Sequence, residues 1–372
     1  MPIRFAPPRR IAVLASFAVL LYTIAPGALR AQGTSDSTLT VKFGAFVDAY
    51  YAYDFNRPRT RDRAFTTQPA RHNEFNINLA FVEAVLTGAR VRGRVAVQYG
   101  TSVQSNYAGE PRIGRISGGD VSRYIQEAVV GVKLAPTLWV DGGIYLSHIG
   151  SETWISRDNL PYSRSLMADY SPYYQAGVKL TWQAAPTLAM QLNLVNGWQN
   201  ISETNSGKSV GARVDWTASP SLLLSAYNLV GNEAPDSVDR QLHIFQGASA
   251  KLAVNDRLTL QGTFDFGSQS LGGASGRWYG ASLIARMQAT PTTALVARVE
   301  RYADPKQVIV VTGVADPFRV NGGSLGFDVA PAPRTLWRTE LRALSGADAI
   351  FPARNGSRKG NVMLVSSLAL TL

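Results

Sequence analysis

From about residue 39 onward, apolar and polar positions alternate with a period of two in segments of roughly ten residues, the spacing of a strand with two different faces. In 209–216, Val210, Ala212, Val214 and Trp216 share one face, and Gly211, Arg213 and Asp215 share the other. In 258–266, Leu258, Leu260, Phe264 and Phe266 oppose Thr259, Gln261, Thr263 and Asp265. Val91, Val95, Val97 and Tyr99 oppose Arg92, Arg94 and Gln98, and the C-terminal segment sets Val362, Leu364, Leu368 and Leu370 against Ser367 and Thr371. Nowhere after the N-terminal segment do about 20 apolar residues run together, as a membrane helix requires.

The connections alternate between short and long. Short turns fall at 135–137, 185–187, 219–221, 255–256, 290–292 and 332–334, most with a central proline, and another is expected at 88–90. Proline presets φ and leaves no N–H unpaired, which suits a tight turn. The later turns recur at intervals of about 35 residues, room for two strands and one polar loop. Sixteen strands are predicted between 39–54 and 359–372, among them 73–87, 91–105, 137–150 and 187–200. The fold class expected is all-β, a transmembrane antiparallel up-and-down barrel of about sixteen strands, with short periplasmic turns and long extracellular loops. Such a closed sheet pairs every backbone group without help from water. Trp139, Trp182, Trp216 and Trp337 each stand a few residues from a turn, the placement of rings at a membrane interface. Uninterrupted parity in 73–87 would put Glu83 in lipid, so a bulge near Phe81 is expected to turn it inward.

Composition sharpens the choice between a barrel and a soluble sandwich. Hydrophobic residues make up 45% and charged residues 17% of 372 positions, and cysteine is absent, which excludes disulfides and thiolate chemistry. Yet charges fall on the inward parity of many strands. In a sandwich core each would cost several kcal/mol, on the order of the penalty for buried ions. A sixteen-strand barrel instead has a lumen wide enough to hydrate them. Inward parity gives fourteen candidate pore-lining residues: Arg92, Arg94, Lys133, Asp141, Arg213, Asp215 and Lys251 in the first ten strands, then Asp265, Arg286, Arg298, Glu300, Arg338, Glu340 and Arg342. Bases outnumber acids among them, so a mild anion preference is expected.

The N-terminus reads as an export signal. Arg4, Arg9 and Arg10 precede the apolar run 11–25, and small residues follow up to Ala31. The expected organisation is a signal peptide at 1–31, a short periplasmic segment at 32–38 and a barrel at 39–372. Removing four arginines with the signal leaves 33 bases against 26 acids, a charge of +7. Partners of an exported basic chain are anionic solutes and lipopolysaccharide phosphates in the outer membrane rather than nucleic acid.

Gly44-Ala45-Phe46-Val47-Asp48-Ala49-Tyr50-Tyr51-Ala52-Tyr53-Asp54-Phe55-Asn56-Arg57-Pro58 resembles the first strand and loop of the OmpL-like β-barrel porins. Asn73-Glu74-Phe75-Asn76-Ile77-Asn78, Gln98-Tyr99-Gly100 and Val195-Asn196-Gly197-Trp198 are similar to strand ends of the same group. The resemblance implies a Gram-negative outer-membrane location, insertion by the barrel assembly machinery and a diffusion channel for small hydrophilic solutes. It also implies a third loop that folds inward, here 151–171, with Glu152, Arg157, Asp158, Arg164 and Asp169 as constriction candidates. Sixteen-strand porins are often homotrimers. The chain departs from the group at its end, Ala369-Leu370-Thr371-Leu372, where such barrels carry a terminal Phe or Trp.

The competing classes are a non-conducting structural or adhesive barrel and an outer-membrane hydrolase. For the latter the sequence offers Ser147-His148 and His72-Asn73, but neighbours in a strand point to opposite faces and make no dyad. Gly272-Gly273 and Gly322-Gly323 read as loop glycines without the strand–loop–helix context of a phosphate site. No cofactor or metal motif is present.

Overall fold

A computed structural model describes residues 39–372. The signal-peptide and periplasmic segments expected at 1–31 and 32–38 lie outside the described residues.

Alternation produces strands wherever it was expected. They are β1 (Thr40–Asp54), β2 (Phe75–Thr87), β3 (Val91–Tyr99), β4 (Ile125–Ala135), β5 (Leu138–Leu146), β6 (Tyr174–Ala185), β7 (Leu188–Val195) and β8 (Ser209–Ser219). There follow β9 (Leu222–Asn232), β10 (Leu242–Ala253), β11 (Leu258–Leu271), β12 (Ala274–Thr290), β13 (Thr293–Asp304), β14 (Phe318–Val329) and β15 (Thr335–Gly346). A two-residue pair, β16 (Phe351–Pro352) and β17 (Ser357–Arg358), forms a small hairpin, and β18 (Gly360–Thr371) is the last wall strand. Sixteen strands, β1–β15 and β18, close antiparallel into one barrel, with β18 paired to both β15 and β1.

The outer wall is apolar. Leu325 is 69% exposed, and Val130, Phe264, Leu283 and Val299 are likewise open. In a water-soluble protein so continuous a band would be anomalous, whereas facing hydrocarbon it is the stable arrangement. Trp182, Trp216 and Trp337 point outward. Trp139 points inward instead, with the Arg92 guanidinium 4.5 Å and the Lys133 ammonium 5.5 Å from its ring.

Four local expectations are corrected. The bulge in β2 falls at Asn78, not near Phe81: Asp48 pairs with Leu79 and Ala49 with Ile77. Glu83 still turns inward, but Leu79 and Phe81 turn inward with it. Next, β3 stops at Tyr99, because Gly100 takes φ +147° and the chain turns into a helix, α1 (Thr101–Asn106). Similarly β5 ends at Leu146 and β7 at Val195, short of 150 and 200, because the following residues enter loops. Finally, Gly322-Gly323 lies inside β14, where a Cβ on Gly322 would come within 2.6 Å of Leu344 and 2.8 Å of Glu300. Gly272-Gly273, by contrast, is the whole connection from β11 to β12, with φ +57° and +93°, the two left-handed positions of a tight hairpin.

Candidate functional site

The loop between β5 and β6, loop 3 (147–173), crosses the inside of the barrel. Side chains that its sequence places at fixed intervals each find a wall strand. His148 Nε2 lies 2.8 Å from the Asn228 carbonyl of β9, and the Ser151 hydroxyl is 2.7 Å from Thr263 of β11. The Ser156 hydroxyl donates to Asp48 of β1 at 2.7 Å, and Asn78, the bulge residue, donates to the same carboxylate at 2.8 Å. A cluster of Phe46, Leu79, Phe81, Val103, Tyr107, Trp154 and Tyr173 fills the space between loop and wall there. The displaced bulge is what supplies Leu79 and Phe81 to it.

Across the lumen, β13 to β15 hold the middle of the loop by charge. Arg298 donates to the Ser163 carbonyl at 2.6 Å and pairs with Glu340 at 3.1 Å, and Glu340 in turn accepts from the Ser163 N–H at 2.7 Å. Glu300 accepts from the Leu166 N–H at 2.7 Å and pairs with Arg342 at 2.7 Å. Arg338 pairs with Asp328 at 3.0 Å and donates to the carbonyls of Ser156 and Asn159 at 2.7 and 3.2 Å, and also to that of Leu160. Arg286 reaches Asp328 as well. A short helix, α2 (Leu166–Asp169), is capped by Ser165, whose hydroxyl accepts from the Ala168 N–H at 3.3 Å.

These geometries sort the predicted residues. Asp265, Arg298, Glu300, Arg338, Glu340 and Arg342 do face inward, but they are buried rather than standing in water. Burial is tolerable because Arg298 and Arg338 meet both carboxylates and loop carbonyls, Arg342 pairs with Glu300, and Asp265 accepts from the Tyr227 hydroxyl at 2.8 Å. Arg286 is the half-covered member of the group.

On the inner face from β2 to β10, Leu79, Tyr145, Tyr227, Leu229 and Phe245 are packed and Glu127 and Asp141 are buried, while Arg92, Arg94 and Arg213 keep part of their surface exposed. Arg92 pairs with Asp141, and Arg94 with both Glu83 and Glu127. Arg213 pairs with Asp215 at 2.8 Å and donates to the His148 and Gly150 carbonyls at the stem of loop 3, at 2.9 and 2.8 Å. Lys179, which parity also places inward, sits 4.4 Å over the Tyr145 ring. Lys133 and Lys251 make no ion pair among the described residues.

On the loop itself, Glu152 is buried and accepts from the Ser165 N–H at 3.1 Å. Burial pushes its carboxyl up from the ordinary range, against the opposing pull of Arg298 and Arg164. Asp169 is raised for the same cause and accepts from Thr67 at 2.6 Å and Tyr173 at 3.0 Å. Arg164 stacks 3.8 Å over the Tyr173 ring, Arg157 lies 5.4 Å over Phe46, and Asp158 stays exposed. A cavity of about 230 Å³ remains between the loop stem and Arg213, lined also by Glu152, Trp154, Arg164 and Tyr173. Neither histidine arrangement pairs a nucleophile with a base: His148 Nδ1 lies 2.8 Å from Gln175, and His72 Nδ1 accepts from the Asp54 N–H at 2.9 Å.

Sequence reasoning did not single out Asp48, Asn78, Ser156, Ser163, Lys179 or Asp328. Inward parity was a usable signal for Asp48, Lys179 and Asp328; for the two loop serines there was none.

The barrel resembles solved outer-membrane proteins at low sequence identity. It covers 90% of this chain and 98% of OmpT of Vibrio cholerae at 10% identity and TM-score 0.58. For the anion-selective porin from Comamonas acidovorans the figures are 90%, 100%, 11% and 0.57. For the outer-membrane channel DcaP of Acinetobacter baumannii they are 90%, 99%, 11% and 0.59. One in-vitro folded Vibrio cholerae OmpT structure is a trimer form. No curated protein matches the sequence at a significant level. Residues 40–372 match the family described as "Putative beta-barrel porin-2, OmpL-like". With the closed sixteen-strand wall and its apolar outer band, this makes the chain a member of the OmpL-like β-barrel porin-2 family, located in the outer membrane.

Proposed function

We propose that the protein is a non-enzymatic porin. It passes small hydrophilic solutes, with a mild preference for anions, through the part of the lumen that loop 3 leaves free. The observation that carries this is the charge on the wall from β2 to β10, whose basic side chains keep part of their surface exposed. Strands β2 to β10 contribute six cations, Arg92, Arg94, Lys133, Lys179, Arg213 and Lys251, against four acids, Glu83, Glu127, Asp141 and Asp215. The difference, 6 − 4 = +2, biases a hydrated passage toward anions. Selectivity is thus assigned to this wall and not to the basic residues of β13 and β15, whose charges loop 3 and their carboxylate partners absorb.

In a tenfold salt gradient the reversal potential of Lys133→Gln/Lys251→Gln should move toward the cation side, while conductance stays near wild type. A wild-type channel that is clearly cation-selective contradicts the proposal. A second reading, a sealed structural or adhesive barrel, is favoured by the number of anchors holding loop 3, and single-channel recording separates the two. Homotrimeric assembly and insertion by the barrel assembly machinery are part of the same proposal, and chemical cross-linking in mild detergent tests the first.

A further inference from the structure

The wall formed by β2, β1, β18 and β15 has a dent on its outer side and a basic cluster above it. Trp337, Leu368, Ala49 and Ile77 are successive cross-strand partners, so they form one row across these four strands. The next row holds Ser366, Tyr51 and Phe75. Small Ala49 and Ser366 lie between large rings, and the result is a mainly apolar groove of about 820 Å³. The Ser366 hydroxyl accepts from the Trp337 indole N–H at 2.8 Å, so its polarity is satisfied within the groove.

Loop 1 (55–74) joins β1 to β2, and loop 8 (347–359) joins β15 to β18, so both rise from the strands of the groove. Arg59 ties them together by donating to the Arg354 carbonyl at 2.7 Å, and the Arg354 N–H donates to the Asn56 carbonyl at 3.0 Å. On this joint platform Arg57, Arg59, Arg61, Arg354, Arg358 and Lys359 are exposed and make no ion pair among the described residues. Nearby acids are committed: Asp62 and Glu74 to Arg71, and Asp54 to Arg63. Asp348 alone of the acids in these loops lacks an ion-pair partner among the described residues. Tyr53 and Phe55 point outward with rings 5.2 Å apart, and the Arg57 guanidinium lies 6.0 Å from the Tyr53 ring. Cations just above an outward aromatic rim stand at headgroup level.

We propose that this face binds a phosphorylated glycolipid of the outer leaflet, an acyl chain entering the loop-side end of the groove past Phe75, Tyr51 and Ala49 and the phosphates held by the cations of loops 1 and 8. Guanidinium groups match phosphate oxygens in pairs. A second copy of the chain would bring the same unpaired cations together around a symmetry axis, and that repulsion favours an anionic lipid as the occupant. The site rests on the outer-membrane location and not on conduction.

The test uses the mature protein, purified in detergent and titrated with diphosphorylated lipid A, dephosphorylated lipid A and inorganic phosphate. Native mass spectrometry gives occupancy and oligomeric state. Diphosphorylated lipid A should bind at least tenfold more tightly than the dephosphorylated form. Arg57→Gln/Arg61→Gln/Arg358→Gln and, separately, Ala49→Phe should each weaken it at least tenfold, with heat-modifiable gel migration and conductance unchanged. Lipid binding by a chain that conducts nothing would still support the site. Three results would overturn it: undiminished affinity in the charge variant, competition by inorganic phosphate at the same concentration as lipid A, or an Ala49→Phe protein that changes oligomeric state while keeping its lipid.

Discussion

Arg338 shows how one wall residue fixes a loop. Its guanidinium is buried against Asp328 and serves three loop-3 carbonyls, those of Ser156, Asn159 and Leu160. Arg338→Met should leave the Ser156 and Asn159 carbonyls unmatched at about 1–3 kcal/mol each, with Arg286 keeping Asp328 paired and still reaching the Leu160 carbonyl. A lower thermal midpoint together with larger single-channel steps is the expected pair of changes, and a lower midpoint with unaltered steps would show that Arg338 serves the wall alone. Glu152 gives a pH dependence. Its folded pKa is raised, so between the ordinary carboxylate range and that raised value the folded state binds more protons than the unfolded one, and stability falls as pH rises. Acidification toward the ordinary carboxylate range should therefore hold loop 3 more firmly. Conductance should decline with falling pH, and Glu152→Gln should flatten the change.

At the scale of elements, parity and turns carry most of the information. A strand with one face in hydrocarbon has its register fixed along its whole length, so sixteen strands are legible from alternation alone. Parity failed where one extra residue changes it: the bulge at Asn78 reverses Leu79 and Phe81, and no local pattern in 73–87 says which residue is unpaired. It also could not tell hydrated inner residues from those beneath loop 3. That division depends on serines and backbone carbonyls of the loop, such as Ser163 and Leu160, whose contacts lie more than 100 residues away in sequence. The loop's inward course came from family resemblance, and the wall's charge ladder supplies the physical reason. Deleting 153–169 should increase single-channel conductance, and an unchanged value would mean that the loop does not define the passage.

For the whole molecule, the closed wall and the apolar outer band require an amphiphile, and the inward charges divide into a buried, mutually paired group on β13–β15 and a group on β2–β10 whose basic members stay partly exposed. The first group is largely neutralised by its own pairing, while the second leaves the small positive excess to which the proposed anion preference is assigned. The most direct test is planar-bilayer recording of the refolded barrel, residues 39–372, in a tenfold potassium chloride gradient. Discrete current steps that reverse on the chloride side of zero are predicted. A correctly folded, heat-modifiable barrel that inserts and passes no current would contradict the account.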